Sequence, residues 1–501
     1  MATGIGKIDI EENTNATSSS KFCIASITKT FTSVLLANQI MKDSQRYGSS
    51  TERLTWDSPI YRHLGPWFSL SDKHREKTLT LRDLLAHRTG MSRYDLTWML
   101  RVFRRKELMR KLKHFKFAGE FRQGFTYNNL MYALAGAVAE ARANSTWETL
   151  IRTHLLQPLG MNETTFIDVE APRWKNIAKP YTYKNGTYLP LPREAHGSFG
   201  VVGAAGSICS SAKDVAKWMQ LHLNDGETQD GNRILKADDL ETIFESASVV
   251  PQNLKWERLF HRPVVPVTES RTTYGLGWYN GHYRGLRTHV AHGTAGGYES
   301  QITLFPDRKL GIYTAMNGLM GPSAYIALRM MHQYIADVMM GQKPWLNRTT
   351  GCTFPEPWSE NIYEKESTQF INTSLPAHRP FVDYTGVYIN DGHGTIHISA
   401  NTSYNYLYFK IGELGNFILY PMEERDRFHM KATYPYSFYL FYPLMFNNDT
   451  RGYINSISVP SFDVENPPIF FKQHQASDSI SLATSYAFTL TFSVSIYLCW
   501  I

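Results

Sequence analysis

The chain is short of cysteine and of net charge, and each shortage excludes a class of protein. Four cysteines in 501 residues (Cys23, Cys209, Cys352 and Cys499) are too few for a domain built on disulfides. Whether any two of them pair stays open. None forms a Cys-x-x-Cys motif, so the sequence predicts no metal site and no cofactor. The formal net charge of +7 is small for this length, which argues against a nucleic-acid partner.

The sequence also lacks a signal peptide, although it carries the acceptor sites of a secreted glycoprotein. The first residues have neither a basic region nor an apolar region. Asn-x-Ser/Thr sequons nevertheless occur at Asn15, Asn144, Asn162, Asn185, Asn347, Asn372, Asn401 and Asn448. We therefore expect a secreted or surface-anchored glycoprotein whose biological start precedes Met1, unless the excess of sequons is due to chance.

Residues 476–501 form an apolar tail that has no charge after Asp478. The small residues before it and the missing basic flank resemble a glycolipid-anchor signal, which would attach the protein to a membrane. Apolar and polar residues alternate from Phe488 to Leu498, which fits a packed strand equally well. Both interpretations stay open.

The length exceeds what one hydrophobic core usually supports, so more than one domain is expected. Residues 1–345 predict an α+β fold, with an antiparallel sheet flanked by helices and an inserted helical subdomain. We expect that sheet to use strands from both ends of this segment. Residues 346–378 are rich in Pro, Thr, Glu and Asn and predict a linker. Residues 379–475 contain only strand patterns and predict a small all-β barrel or sandwich.

Hydrophobic periodicity predicts the individual helices and strands. The clearest helices are Thr80–His87, Leu130–Ala143, Ala212–Leu223 and Ser323–Met340. Three late strands of the first domain are Arg284–His292, Glu299–Phe305 and Leu310–Met316. The strands expected after the linker are Tyr384–Asn390, Thr395–Ala400, Tyr406–Ile411, Phe417–Tyr420, Phe428–Ala432, Phe438–Tyr442, Ile454–Val459 and Ile469–Lys472.

The most informative motif is Ser26-Ile27-Thr28-Lys29, where a short apolar strand meets an amphipathic helix. Three residues advance almost one helical turn, so the Lys29 amine lies beside the Ser26 hydroxyl. Free backbone N–H groups in the first turn can also stabilise a developing oxyanion. The pattern suits a serine hydrolase, and an N-capping serine beside a solvated lysine is the alternative interpretation.

A second segment, Tyr127-Asn128-Asn129, leads into the helix predicted from Leu130. Tyrosine is a poor base in water, but neighbouring ammonium groups would favour its anion, which could then take the serine proton. Asn129 either caps the helix or directs its amide at a substrate carbonyl. A packed aromatic residue is the alternative interpretation of Tyr127.

A third segment, His292-Gly293-Thr294-Ala295, ends a predicted strand. Small residues at a strand edge let a substrate pair with the backbone there. His292 would supply a hydrogen bond or a charge near Tyr127. A histidine in a surface turn is the alternative interpretation.

In this order, the three segments resemble the serine β-lactamase and penicillin-binding superfamily, specifically its class C-like branch. That branch includes D-aminopeptidases, esterases and animal β-lactamase-like proteins. The resemblance spans about residues 4–345, and its other matching segments are Thr80–Met91, Ala205–Asp214, Tyr274–Trp278 and Pro306–Asn317. Tyr384–Tyr388 together with Gly392–Thr395 is similar to the lipocalin-like barrel often joined to such enzymes.

The resemblance implies that Ser26 is the acylated nucleophile, that Lys29 activates it and that Tyr127 acts as general base and then acid. Asn129 would position the substrate, and the backbone N–H groups of Ser26 and Ala295 would form the oxyanion hole. His292 stands where β-lactamases carry lysine, and Thr294 takes a position that is usually glycine. Gly4–Asp9 resembles the end of the family's second strand, which implies that the opening helix and first strand are missing.

The expected function is hydrolysis of a small ester, amide or D-peptide bond through a Ser26 acyl-enzyme. Its partner would be a small molecule or a peptide. The alternative is a catalytically relaxed extracellular-matrix glycoprotein, for example of a shell matrix, that keeps the fold for binding or scaffolding.

Overall fold

The computed structural model describes residues 1–473, apart from positions 49, 168–175, 185, 253–254, 319–321, 360–370, 402, 404–405 and 438. The predicted tail at 476–501 lies outside the described residues. The predicted fold class is confirmed, because an antiparallel sheet is flanked by helices and a closed barrel of eight strands follows it.

The first part of the chain forms small sheets. Strand β1 (Lys7–Asp9) pairs with β2 (Thr14–Asn15), and β3 (Lys21–Cys23) joins a three-stranded sheet with β4 (Thr165–Phe166) and β7 (Ile208–Ser211). A hairpin consists of β5 (Tyr181–Lys184) and β6 (Thr187–Pro190). The expectation that the main sheet uses both ends of the first domain is wrong for the described residues, because β1 is already paired with β2 across a tight turn.

The main sheet is antiparallel and has the strand order β13-β12-β11-β10-β9-β8. Its strands are β8 (Ser248–Val249), β9 (Glu269–Tyr274), β10 (Tyr279–Tyr283), β11 (Leu286–Ala295), β12 (Tyr298–Phe305) and β13 (Leu310–Met316). Strand β11 starts later than predicted, because Arg284 and Gly285 form the preceding turn with φ of 51° and 77°. Pairing between β10 and β11 ends at Tyr279–Val290, so the last part of β11 extends beyond β10.

Helices cover the sheets and form the inserted region. They are α1 (Thr28–Tyr47), α2 (Tyr61–Leu64), α3 (Lys73–Thr78), α4 (Leu81–Leu85), α5 (Asp95–Met99), α6 (Arg105–Lys111), α7 (Asn129–Ala143), α8 (Trp147–Ile151), α9 (Glu194–Gly197), α10 (Gly203–Gly206), α11 (Ala212–Leu223), α12 (Ala237–Phe244), α13 (Lys255–Arg258), α14 (Pro322–Met339), α15 (Arg348–Thr353) and α16 (Phe381–Tyr384). Helix α4 is shorter than predicted, because Thr80 is its N-cap and His87 has a left-handed φ of 56°.

No helix in the described part of the chain is long and apolar enough to cross a bilayer.

Helix α1 was expected to be amphipathic, but every residue from Thr28 to Ile40 is buried. Its hydroxyl side chains are satisfied by other elements or by the helix itself: Thr32 Oγ1 donates to the Ala204 carbonyl at 2.6 Å and Ser33 Oγ to the Lys29 carbonyl at 3.1 Å. Phe31 stacks on Trp218 with 3.7 Å between ring centroids. The helix that carries the Ser-x-x-Lys motif is therefore the central helix of the domain, and its environment is dry.

The barrel closes through strands β14 (Gly386–Asn390), β15 (Gly394–Asn401), β16 (Tyr406–Ile411), β17 (Gly415–Pro421), β18 (Arg427–Ala432), β19 (Leu444–Asn448), β20 (Ile454–Ser458) and β21 (Ile469–Lys472). The strand predicted at Phe438–Tyr442 is wrong; the strand is β19 instead. The segment before β19 leaves the barrel wall and packs against the first domain, where the Tyr436 hydroxyl donates to the Met99 carbonyl at 2.5 Å. One hydrophobic cluster runs through the first domain and the barrel.

The segment expected to be a linker, 346–378, is packed where it begins. Leu346 and Phe354 are buried in a cluster with Phe260 and Ile326 of the first domain. Leu346 and Phe354 therefore attach the start of the 346–378 segment to the first domain, although most of that segment is polar.

Candidate active site

The chain enters the site at the end of β3 and turns sharply before α1. Ala25, fully buried, has a left-handed φ of 43°, a conformation that costs free energy for a residue with a Cβ atom. A single 3₁₀ turn, Ala25–Ile27, then places Ser26 immediately before α1, and Ser26 stays half-buried at the edge of a cavity.

A disulfide bond joins Cys23 to Cys209. Whether any two cysteines pair could not be decided from the sequence. The two residues are opposite each other in the β3–β7 pair. The bond therefore fixes the strand that ends three residues before Ser26. Cys352 is a free thiol and is exposed.

Lys29 is completely buried, and its amine lies 2.9 Å from Ser26 Oγ. The same Nζ donates to Asn129 Oδ1 at 2.8 Å and to the Ala205 carbonyl at 3.0 Å. Burial lowers the pKa of Lys29 well below its ordinary value, although the charge of Asp95 opposes this shift. In its neutral form this amine would have two N–H groups, for which the two carbonyl oxygens are acceptors, and one lone pair that could accept the Ser26 hydroxyl proton.

The Tyr127 hydroxyl is hydrogen-bonded to Ser26, and its ring lies 4.8 Å from Lys29 Nζ. Burial raises the pKa of Tyr127 well above its ordinary value, and the hydrogen bond to Ser26 and the positive charge of Arg93 offset only part of that rise. The expectation of a tyrosine anion favoured by ammonium groups is therefore wrong. The raised pKa of Tyr127 makes its hydroxyl a proton donor, and the lowered pKa of Lys29 makes its amine the better candidate to accept a proton.

Asn129 does not cap α7, because the side chain of Asn128 accepts from Leu130 N at 2.9 Å and takes that role. The Asn129 amide instead bridges two charged side chains. Its oxygen accepts from Lys29 and its nitrogen donates to Asp95 Oδ1 at 3.1 Å. Asn129 thus links Lys29 to Asp95, a carboxylate that no sequence motif singled out.

His87 is a second residue that sequence reasoning missed. Its Nδ1 accepts from Asn128 N at 3.1 Å, its carbonyl accepts from Thr126 N at 2.8 Å, and its ring lies 4.3 Å from the Tyr127 ring. Burial lowers the pKa of His87 well below its ordinary value, so the ring is neutral. His87 therefore holds both neighbours of Tyr127. The sequence pointed to His87 only in that it lies within Thr80–Met91, one of the segments that resemble the superfamily.

The end of β11 lies directly against the segment before the nucleophile. A Cβ atom on Gly293 would lie 2.0 Å from the Ile24 carbonyl oxygen and 2.9 Å from Ser300 Oγ. Ser300 Oγ also donates to the Ile24 carbonyl at 3.1 Å. Glycine is thus required at position 293 by close packing beneath Ser26, in addition to any role in admitting a substrate.

Replacing Gly293 with alanine is expected to lower stability by about 1–3 kcal/mol, because the new methyl group meets backbone that cannot move freely. The shift of Ile24 should also slow any acylation of Ser26. Thermal melting and the rate of covalent labelling of Ser26 measure the two effects. The control is Gly351→Ala, where the new Cβ meets no atom within 4 Å. Equal melting temperatures and labelling rates for Gly293→Ala and the wild type would contradict this account of the packing.

His292 and Thr294 contact the same buried carboxylate, Glu299. His292 Nε2 lies 2.8 Å from Glu299 Oε2, and Thr294 Oγ1 donates to that oxygen at 2.7 Å. The His292 ring also packs on the edge of Tyr325, with centroids 4.6 Å apart. Sequence reasoning missed Glu299, because its partners lie on the neighbouring strand and no local pattern around it points to them.

A cavity of about 780 Å³ opens over Ser26 and is lined by Tyr127, Asn129, His292, Thr294 and Ala295 among others. Its volume lies in the range of sites that bind small ligands. Tyr436 and Tyr439 of the barrel also line it, so both domains contribute to the site. Among the residues that the structure describes, no group of three or more His, Cys, Asp or Glu side chains could hold a metal ion.

A serine at the start of a buried helix, a buried lysine of lowered pKa one turn later and a tyrosine from the helical region are the arrangement of a serine protein of the penicillin-binding type. The sequence model of the Beta-lactamase family matches residues 1–333, which is more than half of the chain. The chain belongs to the Beta-lactamase family.

Three proteins are similar to this chain in sequence or in fold. Unguisins hydrolase ungD of Aspergillus violaceofuscus is 24% identical over 416 residues, which cover 79% of this chain and 70% of that protein. The octameric penicillin-binding protein homologue from Pyrococcus abyssi has a TM-score of 0.54 at 21% identity and covers 94% of this chain and 92% of that one. The D-amino acid amidase from Ochrobactrum anthropi, complexed with L-phenylalanine, has a TM-score of 0.52 at 19% identity and covers 67% of this chain and 88% of that one.

Proposed function

We propose that the protein is a secreted or surface-anchored serine hydrolase that cleaves a small amide, ester or peptide bond through an acyl-enzyme on Ser26. The observation that carries the proposal is the environment of the Lys29 amine. Its Nζ lies within hydrogen-bond distance of two carbonyl oxygens and 2.9 Å from the Ser26 hydroxyl, and its pKa is lowered by burial, so its neutral form would direct a lone pair at that hydroxyl. Burying a lysine costs free energy, and a lysine with only a structural role has no use for the lowered pKa that results.

In acylation, the Ser26 Oγ–H bond breaks as Lys29 Nζ takes the proton and Oγ bonds to the substrate carbonyl carbon. The carbonyl oxygen becomes an oxyanion, which the backbone N–H groups of Ser26 and Ala295 are expected to stabilise. The bond to the leaving nitrogen or oxygen then breaks. That atom takes the Tyr127 proton, and Tyr127 regains a proton from the Lys29 ammonium.

In deacylation, water attacks the Ser26 ester while Lys29 takes one water proton. The bond between the carbonyl carbon and Oγ breaks, and Oγ recovers the proton from Lys29. The product is a carboxylic acid, and every group returns to its starting state. Asn129 keeps Lys29 aimed at Ser26 in both steps, because its own nitrogen is held by Asp95.

The substrate class rests on the cavity and on the relatives. A cavity of about 780 Å³ holds a short peptide or an amino-acid derivative, and Phe125, Tyr279 and Tyr325 give it apolar walls. The similar proteins include an unguisins hydrolase and a D-amino acid amidase. Amide bonds in small peptide-like molecules are therefore the first substrates to test.

Two features support secretion. The Cys23–Cys209 disulfide suits an oxidising compartment. Most of the described sequon asparagines are exposed, and these are Asn15, Asn144, Asn162, Asn347, Asn372 and Asn448. Asn401 is half-buried, and Asn185 lies outside the described residues.

A fluorophosphonate probe tests the proposed function directly, because it labels only an activated serine. The full chain is expected to be labelled at one site, and Ser26→Ala is expected to abolish labelling without changing the melting temperature. The matched control is Ser198→Ala, since Ser198 also lines the cavity but has no lysine partner among the described residues. A well-folded protein that is not labelled would refute the hydrolase and favour the scaffold alternative.

A further inference from the structure

The end of strand β11 that carries Ala295 has few partners within its own sheet. In the described part of the sheet, β11 pairs beyond Val290 with β12 alone, as far as the last pair, Ala295 with Tyr298. Gly296 and Gly297 connect the two strands, and glycine leaves the backbone free to adopt many conformations. A two-stranded ribbon that ends in two glycines needs contacts from outside to fix the Ala295 N–H group, which is expected to stabilise the oxyanion.

His196 of α9 makes such a contact with this β11–β12 turn. Its Nε2 lies 2.6 Å from the Gly296 carbonyl oxygen, and since a carbonyl oxygen can only accept, Nε2 is the donor. The ring is 1% exposed and packs edge-on against Tyr298, with 5.1 Å between the ring centroids. Burial lowers the pKa of His196 to about 4, so the ring is neutral at pH 7 and its one N–H group is directed at the turn.

Other contacts hold the same turn by packing. The Tyr298 hydroxyl donates to the Ala178 carbonyl, and a Cβ atom on Gly297 would lie 2.9 Å from Pro180 Cβ. These contacts do not involve His196. Loss of the His196 hydrogen bond is therefore expected to loosen the turn without unfolding the domain.

The barrel in turn contacts the segment that carries His196. Tyr436, which precedes β19 and is 3% exposed, donates its hydroxyl to the Met99 carbonyl at 2.5 Å. The same hydroxyl oxygen lies 3.4 Å from the carbonyl oxygen of Ala195, the residue before His196. Tyr436 thus contacts both α5 and α9, and the position of α9 depends on the barrel as well as on the first domain.

We propose that His196 is a positioning residue that holds the β11–β12 turn, and with it the Ala295 N–H group, and that Tyr436 of the barrel supports His196. This inference rests on the proposed function, because it names the residue that orients one half of the oxyanion hole. His196 acts here through the backbone of the turn and does not have to touch the substrate. The barrel thereby contributes to the reaction rate in addition to lining the cavity.

Hydrogen exchange of the full chain at pH 7, followed by mass spectrometry of peptides that cover residues 291–300, tests the inference. In His196→Asn the turn is expected to exchange about 10-fold faster or more, because the shorter amide cannot reach the Gly296 carbonyl. His196→Gln is the matched variant, since its longer side chain places an amide N–H near the position of Nε2. It is expected to keep the wild-type exchange rate.

The part played by the barrel is tested in the same way with Tyr436→Phe, which is also expected to speed exchange at the turn. Its matched control is Tyr388→Phe. Tyr388 is another buried barrel tyrosine whose hydroxyl donates to a backbone carbonyl, that of Tyr384, at 2.7 Å. Its loss is expected to lower the melting temperature without changing exchange at the turn.

The rate of Ser26 labelling by a fluorophosphonate is the second readout. His196→Asn is expected to label about 10-fold more slowly, part of the roughly 10²–10³-fold cost of losing an oxyanion-hole donor, and His196→Gln is expected to restore the rate. Unchanged exchange at the turn in His196→Asn, or exchange raised equally in His196→Gln, overturns the inference. An unchanged turn in Tyr436→Phe overturns the barrel's part in it.

Hydrogen exchange needs no reaction at Ser26, so the two proposals fail in different experiments. A well-folded wild type that is not labelled refutes the hydrolase, and the exchange rates then still decide whether His196 holds the turn.

Discussion

Replacing Lys29 with arginine is expected to reduce the rate of Ser26 labelling by about 10²–10⁴-fold, the range typical of a lost general base. Arginine keeps the positive charge and the length but does not give up its proton, so no lone pair can face Ser26. The buried site also opposes a charged guanidinium next to Arg93. Stopped-flow or gel-based labelling with a fluorophosphonate measures the rate.

The control for this substitution is Lys106→Arg, at an exposed lysine outside the cavity. It is expected to label at the wild-type rate. A Lys29→Arg protein that is folded and labels within tenfold of the wild type would show that Lys29 is not the base.

If Lys29 is the base, the direction in which the rate of Ser26 labelling changes with pH follows from its pKa. Burial lowers the pKa of Lys29 in the folded protein, so the neutral amine persists at a lower pH than for an exposed lysine. The labelling rate should fall as the pH drops through that lowered pKa, because protonation removes the lone pair. It should not require a pH near 10 to reach its maximum.

Removing the Cys23–Cys209 bond is expected to lower the stability of the first domain by about 2–5 kcal/mol, or roughly 5–15 °C in melting temperature. The bond closes a segment with a sequence separation of 186 residues, and closing so long a loop restricts the unfolded chain strongly. Labelling of Ser26 should also slow, because β3 positions the turn at Ala25. The double variant Cys23→Ala/Cys209→Ala and thermal melting test this.

Cys352→Ala is the matched control, since this thiol is exposed and free. Its melting temperature is expected to stay within 1 °C of the wild type, as for most surface substitutions (about ±0.5 kcal/mol). A reductant should destabilise the wild type and Cys352→Ala alike, and should leave the double variant unchanged. A double variant with the same melting temperature as the wild type would contradict a stabilising role for the disulfide bond.

Patterns that repeat within one element could be predicted from the sequence. The spacing in Ser26-x-x-Lys29 places two groups on one helical turn whatever surrounds the helix. Helix Ala212–Leu223 and strands Tyr406–Ile411 and Ile469–Lys472 have the bounds that their periodicity predicts. The strand expected at Phe438–Tyr442 is wrong for its described residues: Tyr439 lines the cavity that both domains share, and Phe441 packs on Phe417 inside the barrel.

Properties that depend on surroundings could not be predicted in this way. The sequence predicted a charged lysine that favours a tyrosine anion, whereas burial lowers the pKa of Lys29 and raises the pKa of Tyr127. Residues from distant parts of the chain cause that burial. Lys29 and Asn129 are 100 residues apart, and Lys29 and Ala205 are 176 apart.

The sequence by itself placed Ser26 and Lys29 on one helical turn, because that spacing is local, and the order of three such segments resembled a family of hydrolases. Only the tertiary structure decided in which direction the pKa values of Lys29 and Tyr127 shift and that Cys23 pairs with Cys209. The physical reason is that desolvation and charge pairing depend on every element packed around a side chain, and no local pattern records them.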